Sequence, residues 1–422
     1  MEVKPGYKQT EVGLIPEDWL NPQLQQITDD DSPICYGIVQ VGPFTPNGIP
    51  VLAIKNLNLD YSSNIHRAST EVERPYARSR IRPEDVVVSV KGTTGRVGIV
   101  PSHFRGNISR DLARIRPREE IAPRFIHQML QSELAQRRLA NAAVGTTRME
   151  LSIAILKQVC VPLPPTKAEQ EAIAEALSDA DAFIESLEQL LAKKRQLKQG
   201  VMQELLTGKK RLPVFGGEWD RLFVEDVVTK YFCGPSPTCE ERNITGDSEW
   251  GVLKTTAITW EDGWDWTKHK ALPMNFWNKP ELEVKAGDVI VTKAGPRHRV
   301  GVTAWVDYAP KRIIVSGKMI GLRPNPAKAV PLMLASAIAA REAQTFLDQR
   351  TTGMAESQVN FENAALLRTP ILMPRIDEQT SIAAIVSDVD EEIAALEAKH
   401  GKARQLKQGM MQELLTGRIR LV

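Results

Sequence analysis

The chain has 422 residues, 42% of them hydrophobic, and its 54 Lys and Arg nearly balance 52 Asp and Glu, leaving a formal charge of +2. That length accommodates about two to four domains, and the apolar fraction is enough to give each a core. Near-neutrality excludes a polycationic nucleic-acid coat, so any nucleic-acid surface has to be a local patch.

The opening MEVKPGYKQTEVG lacks the apolar stretch of a signal peptide, and no run approaches the roughly eighteen apolar residues that cross a bilayer. A cytoplasmic protein with no membrane association is expected. Cys35, Cys160, Cys233 and Cys239 form no CxxC pair, which argues against a disulfide framework or a zinc site.

The first globular stretch reads as mixed α/β, with strand-like apolar runs at 51–57, 86–90 and 97–100 and a helix over 124–139. After VPLPP, apolar residues at Ile173, Leu177, Ala180, Ile184, Leu187 and Leu191 recur four and three apart, the seam of a coiled coil. Thr166 with Glu169 predicts a capping box at its start, and Gly208 a left-handed cap at its end. Gly200 lies inside this helix, where it costs about 1 kcal/mol relative to alanine. A close helix crossing or a kink is the expected reason, with a partner-binding role as the alternative.

A second globular stretch repeats the scheme, with strands at 289–291, 300–305 and 319–322 and a helix over 332–347. Five of the eight tryptophans fall between Trp250 and Trp277, a density better explained by packing around an irregular insert than by a base-stacking surface. The second seam runs through Ile382, Val386, Val389, Ile393 and Leu396 to His400, a polar position expected to fix register. Asp377 is the expected N-cap, Gly417 the expected C-cap, and Gly409 repeats the internal glycine.

These parallels are a duplication. RQLKQGVMQELLTGKKRL at 195–212 and RQLKQGMMQELLTGRIRL at 404–421 agree at fifteen of eighteen positions, and the same offset of 209 relates Glu169-Gln170 to Glu378-Gln379. DVVVSVKGTTGRVGIV at 85–100 answers DVIVTKAGPRHRVGVT at 288–303. YKQTEVGLIPEDW at 7–19 resembles KKRLPVFGGEW at 209–219, so the end of the chain leads naturally back into its beginning and the termini are expected to lie close together. The architecture expected is two mixed α/β domains, 1–166 and 209–375, separated by long antiparallel coiled-coil helices, 167–208 and 376–422, in a pseudo-twofold repeat. About forty residues at roughly 1.5 Å each make a rod of about 60 Å with a globular head at each end.

Catalytic motifs are missing: there is no GxxxxGK[ST], HExxH, GxSxG or GxGxxG. Asn21-Pro22-Gln23 and Asn325-Pro326-Ala327 fail as the Asn-Pro-Pro-aromatic motif of a DNA methyltransferase, and PELEVK at 280–285 lacks the pairing acid of a nuclease and reads as a turn before a strand. No catalytic residue and no metal site is assigned.

Gly6-Tyr7-Lys8 with Thr10, Gly13, Ile15-Pro16 and Trp19, the Pro-Leu-Pro-Pro before Glu169-Gln170, and both copies of RQLKQGxMQELLTG resemble the specificity subunits of type I restriction–modification enzymes over essentially the whole chain. The resemblance implies target-recognition domain, conserved helix, target-recognition domain, conserved helix. It also implies a non-catalytic protein that reads a bipartite, asymmetric double-stranded DNA target. Two modification (methyltransferase) subunits, which hold S-adenosylmethionine, and restriction subunits, which use ATP and magnesium, would be its partners. The helices would set the spacer between half-sites. A protein-binding scaffold and a stand-alone DNA-modifying enzyme with degenerate motifs are the alternatives.

Base readout needs polar loops aimed into a groove. The first domain offers Lys91, Thr93, Thr94 and Arg96, with Arg110 and the turn carrying Thr146, Thr147 and Arg148. The second offers Lys293, Arg297, His298, Arg299, Lys318, Ser357 and Gln358. These lie where the two copies align but their letters differ, as specificity loops on a common scaffold should.

Overall fold

The β-branched run after Asp85 folds as the strand Val86–Ser89, all four residues buried. It lies between Leu112–Ile115 and Val97–Ile99 in an antiparallel four-stranded sheet completed by Cys35–Tyr36. The answering run after Asp288 does the same: Val289–Thr292 lies between Met319–Pro324 and Thr303–Trp305, with Val228–Phe232 at the edge. The shared aspartates are explained by their partners. Asp85 accepts from the Arg82 amide and receives both arms of Arg116 at 2.7 Å; Asp288 accepts from the Lys285 amide and receives Arg323 at 2.9 and 3.0 Å.

This computed structural model describes all residues except 1–4, 58–63, 144–148, 247, 260–262 and 422. Its contacts divide it into two units, Met1–Gln189 with Glu397–Val422, and Leu190–Leu396. Each unit thus joins a globular domain to one half of each long helix. Both globular domains add a three-stranded sheet with one parallel pairing, Ile49–Leu52 beside Asn107–Ile108 in the first and Gly251–Leu253 beside Ile313–Ile314 in the second.

The helices expected at 124–139 and 332–347 are each broken in two: Pro123–Gln131 then Glu133–Ala142, and Pro331–Ala339 then Arg341–Asp348. The residues between, Ser132 and Ala340, are extended (ψ 149° and 148°), and the Ser132 hydroxyl caps the second helix by accepting from the Ala135 amide. Apolar periodicity carries across such a break because both pieces face the same core. The cluster including Trp264 and Trp266 is packing, as expected: the two rings stack at 4.5 Å and the Trp264 indole donates to the Trp305 carbonyl.

The long helices, Lys167–Leu205 and Ile376–Leu414, have 39 residues each. Within the first unit their halves run antiparallel, with Lys407 on Asp181 at 2.5 Å and His400 on Glu188 at 3.0 Å; within the second, Lys198 meets Asp390 at 2.5 Å. Ile173, Leu177, Leu187, Leu191, Ile382, Val386 and Ile393 are buried along the seam, and Gly208 and Gly417 end the helices at φ 68° and 69°. Three local expectations change. The Glu169 amide does donate to the Thr166 hydroxyl, but the Glu169 carboxylate turns to Arg420 rather than back to the cap. Asp377 lies in the first helical turn, where its charge favours the helix dipole, and not at the cap. Gly200 and Gly409 mark no crossing, since a Cβ at either would meet nothing within 4 Å.

Domain and helix meet in the same joint in each unit. Arg420 grips the buried Glu169 with both arms and Arg211 grips Glu378 likewise, at 2.6 Å for each arm. The arginines face the rings of Trp19 at 5.7 Å and Trp219 at 5.9 Å. Next to each glutamate, Gln170 accepts from the Ala122 amide and Gln379 from the Val330 amide, the residues that open the helices Pro123–Gln131 and Pro331–Ala339. In the first unit Arg420 also binds Asp18 at 2.9 and 3.0 Å and the Tyr7 hydroxyl reaches the Gly417 carbonyl. The described ends of the chain are therefore in contact, as the sequence echo predicts.

Candidate nucleic-acid interface

At one end of each four-stranded sheet, four segments lie side by side as a ledge held by main-chain hydrogen bonds. In the first domain the Arg110 amide donates to the Ile38 carbonyl (2.9 Å), the Val90 amide to Asp111 (2.8 Å) and the Leu151 amide to Val90 (2.8 Å), with Met149–Glu150 paired to Lys91–Gly92. In the second the Gly317 amide donates to Pro235 (2.9 Å), Lys293 to Lys318 (2.9 Å) and Phe361 to Lys293 (3.2 Å), with Ala294 paired to Asn360. The outermost segment crosses its neighbour so closely that only glycine fits: a Cβ at Gly37 or Gly234 would lie 1.7 or 1.6 Å from the carbonyl oxygen of Ile108 or Val315.

The ledges bring Lys91 and Arg110 of the first domain, and Lys293 and Lys318 of the second, onto neighbouring segments of their own domain, and the hairpins that follow carry most of the other sequence candidates. In the first domain Thr93, Arg96 and Arg110 are exposed and Thr94 half-buried, while Lys91 pairs with Glu150 at 2.9 Å. The Ser89 hydroxyl braces the hairpin, donating to the Thr93 carbonyl and accepting from the Arg96 amide. Thr146, Thr147 and Arg148 lie outside the described residues.

In the second domain His298, Lys318, Ser357 and Gln358 are exposed, but three candidates are engaged within the protein. Lys293 donates to the Asn363 side chain at 3.0 Å, and Arg297 pairs with Asp348 and with Glu356 at 3.0 Å. The Arg299 guanidinium donates to the carbonyls of Thr255 and Ile258, and burial lowers its pKa; it pins the neighbouring turn instead of facing a groove.

The hairpins also differ in length. Val88 pairs with Val97 and Val291 with Thr303, leaving eight residues between in the first and eleven in the second. The shared Arg-Val-Gly letters are therefore three residues out of structural register. The true counterparts are Gly95 and Gly301, both at φ 86° and held through their carbonyls by Gln136 (2.8 Å) and Gln344 (3.1 Å).

Two features of the ledges escaped the sequence reading. The segment 37–48 of the first domain, GIVQVGPFTPNG, carries no charge and exposes Val39 and Phe44, the latter edge-on to His66 at 6.0 Å. Beside the second ledge opens a cleft of about 480 Å³ lined by Ser236, Glu241, Lys254, Lys270, Ser316 and Lys318 among others. Lys270 and Lys254 flank Glu241, the second at 3.4 Å, and hydrogen bonding from Lys270 first and Lys254 next holds its carboxyl below the usual range. These residues are distant in sequence and come together because Val252 pairs with Lys270 and Glu240 bridges to Ala271. Among the described residues no group of three His, Cys, Asp or Glu could hold a metal, and no helix is long and apolar enough to cross a membrane.

The profile of the family described as "Type I restriction modification DNA specificity domain" matches residues 46–196 and 217–407. The Type I restriction enzyme EcoBI specificity subunit of Escherichia coli is 33% identical over 204 residues, which are 46% of this chain and 43% of that relative, so the alignment spans less than half of either. Among solved structures, the type I restriction–modification S subunit of M. genitalium is similar over 98% of both chains at a TM-score of 0.54 and 16% identity. A chain from a structure concerned with assembly and conformational transition of the type I R-M system is similar at a TM-score of 0.57 and 16% identity, over 96% of this chain and 99% of that one.

Proposed function

The chain belongs to the type I restriction modification DNA specificity domain family, and from that premise we propose that it is a non-catalytic subunit reading a bipartite, asymmetric DNA target with its two ledges. The observation that carries this reading is one main-chain frame used twice with different side chains. A reader of two unlike half-sites needs that arrangement, since register comes from the frame and specificity from the side chains.

The repeated helix ends would dock the modification subunits. Leu197 and Leu406 hold the same place in the two motifs and are 53% and 66% exposed. Gly200 and Gly409, one turn on, present open backbone at a cost in helix stability that no internal contact repays. Two equal strips support two modification subunits. S-adenosylmethionine, ATP and magnesium then belong to the partner subunits, and the paired helices act as the ruler between half-sites.

Co-expression with the cognate modification subunit, followed by mapping of methylated adenines, tests this reading: a bipartite motif with unlike halves is expected. Deleting four residues from one long helix, about one turn or roughly 6 Å, should alter the unread spacer and leave both halves intact. Methylation in the absence of this chain at the same motif, or an unchanged spacer in an active deletion variant, would overturn it.

A further inference from the structure

In the cleft beside the second ledge, the carboxylate of Glu241 stands between two ammonium groups, with Oε1 facing Lys270 Nζ and Oε2 facing Lys254 Nζ at 3.4 Å. A duplex carries one phosphate charge per about 1.7 Å of its axis; the two ammonium groups offset the Glu241 carboxylate and leave the cluster net positive, so DNA can approach an acceptor that would otherwise repel it. In the major groove an A·T pair presents acceptor, donor, acceptor in that order (adenine N7, adenine N6 amino, thymine O4), whereas a G·C pair presents acceptor, acceptor, donor. Lysine, glutamate and lysine in sequence are donor, acceptor and donor.

On the proposed reading of DNA by the ledges, we propose that Lys270, Glu241 and Lys254 recognise one A·T pair in the half-site of the second domain. The lysines donate to N7 and O4 and the carboxylate accepts from the N6 amino group. A G·C pair is rejected because its central acceptor, guanine O6, meets the carboxylate. Pro235 and Val252 in the cleft wall give apolar surface for the thymine methyl. Among the described residues the first domain has no counterpart: Ala53 stands where Lys254 does, each opening the short 3-10 turn after the matching strand, and the segment 37–48 carries no charge.

The test uses the full chain co-expressed with its modification subunit, with adenine-methylation maps for wild type, Glu241→Ala, Glu241→Gln and Lys254→Ala/Lys270→Ala. Glu241→Ala is expected to lose discrimination at one A·T position of one half-site by about tenfold or more, with the other half-site unchanged as proof of folding. Glu241→Gln, whose amide can pair with adenine N6 and N7, should keep the preference. An unchanged motif in Glu241→Ala, or relaxation at a G·C position, overturns the assignment. So does a Lys254→Ala/Lys270→Ala variant that weakens every sequence alike with a shallower salt dependence, the mark of phosphate contact. If the wild-type motif is not bipartite, the parent reading has failed instead.

Discussion

The joints between domain and helix share their central hydrogen bonds in the two units, side chain for side chain, whereas the ledges agree only in their main chain. Glu169, Gln170 and Arg420 do in one joint what Glu378, Gln379 and Arg211 do in the other. On the ledges, Arg110 and Lys318 sit on equivalent segments of the two domains but at positions that do not match, and a charge-free segment answers one rich in Glu and Arg. Side chains were held constant where they bury charge against a fixed partner within the fold, and left free where only backbone is needed to keep the shape.

The joint gives the largest test of that contrast. Arg420→Ala strands the buried Glu169, and Arg211→Ala strands Glu378, both carboxylates being about 1% exposed; each should cost about 3–5 kcal/mol. Arg420→Ala should be the worse, because Asp18 also loses its partner. Urea unfolding combined with amide exchange, which reports each unit separately, checks this, and a loss confined to one variant would mean that the joints are alike in geometry only.

A second test exploits a difference inside the common scaffold. His127 lies on the helix Pro123–Gln131, and burial drives its pKa from 6.5 down to about 4; its counterpart in the second domain is Ala335. The folded value lies below the unfolded one, so the contribution is fully present above about pH 6.5 and lost as pH falls toward 4, at most about 3 kcal/mol. Acid should therefore loosen the first unit before the second, and His127→Gln should remove the difference between pH 6.5 and 5. Equal acid sensitivity in the wild type and His127→Gln would show that His127 is not the source.

The smallest effect bears on the helix ends. Gly200→Ala and Gly409→Ala should each stabilise the protein by about 1 kcal/mol while weakening capture of the modification subunit, equally for the two positions. Thermal melting and co-purification read the two consequences. Greater stability with undiminished capture would place the docking surface elsewhere.

The long helices were legible because a 3.5-residue apolar period and an offset of 209 leave little freedom; of the expected seam, Ala180, Ile184, Val389 and Leu396 are half-buried and the other apolar positions buried. The strands after Asp85 and Asp288 were legible as β-branched runs. The breaks at Ser132 and Ala340 were not, because both pieces turn the same face inward and the period survives the interruption. Of the candidate readers in the hairpins, Thr93, Arg96 and His298 are exposed and Thr94 is half-buried, while Arg297 and Arg299, like Lys293 beside them, are committed to internal partners that arrive from elsewhere in the fold. Glu241, Lys254 and Lys270 could not be found by scanning, since strand pairing and not sequence proximity assembles them.

The crossings at Gly37 and Gly234, together with the main-chain bonds beside them, make each ledge indifferent to most of the letters it displays. On the proposed reading, the recognition residues of a ledge can therefore be exchanged as a set without repairing the fold around them, and Gly37 and Gly234 are the ledge positions that no side chain can take.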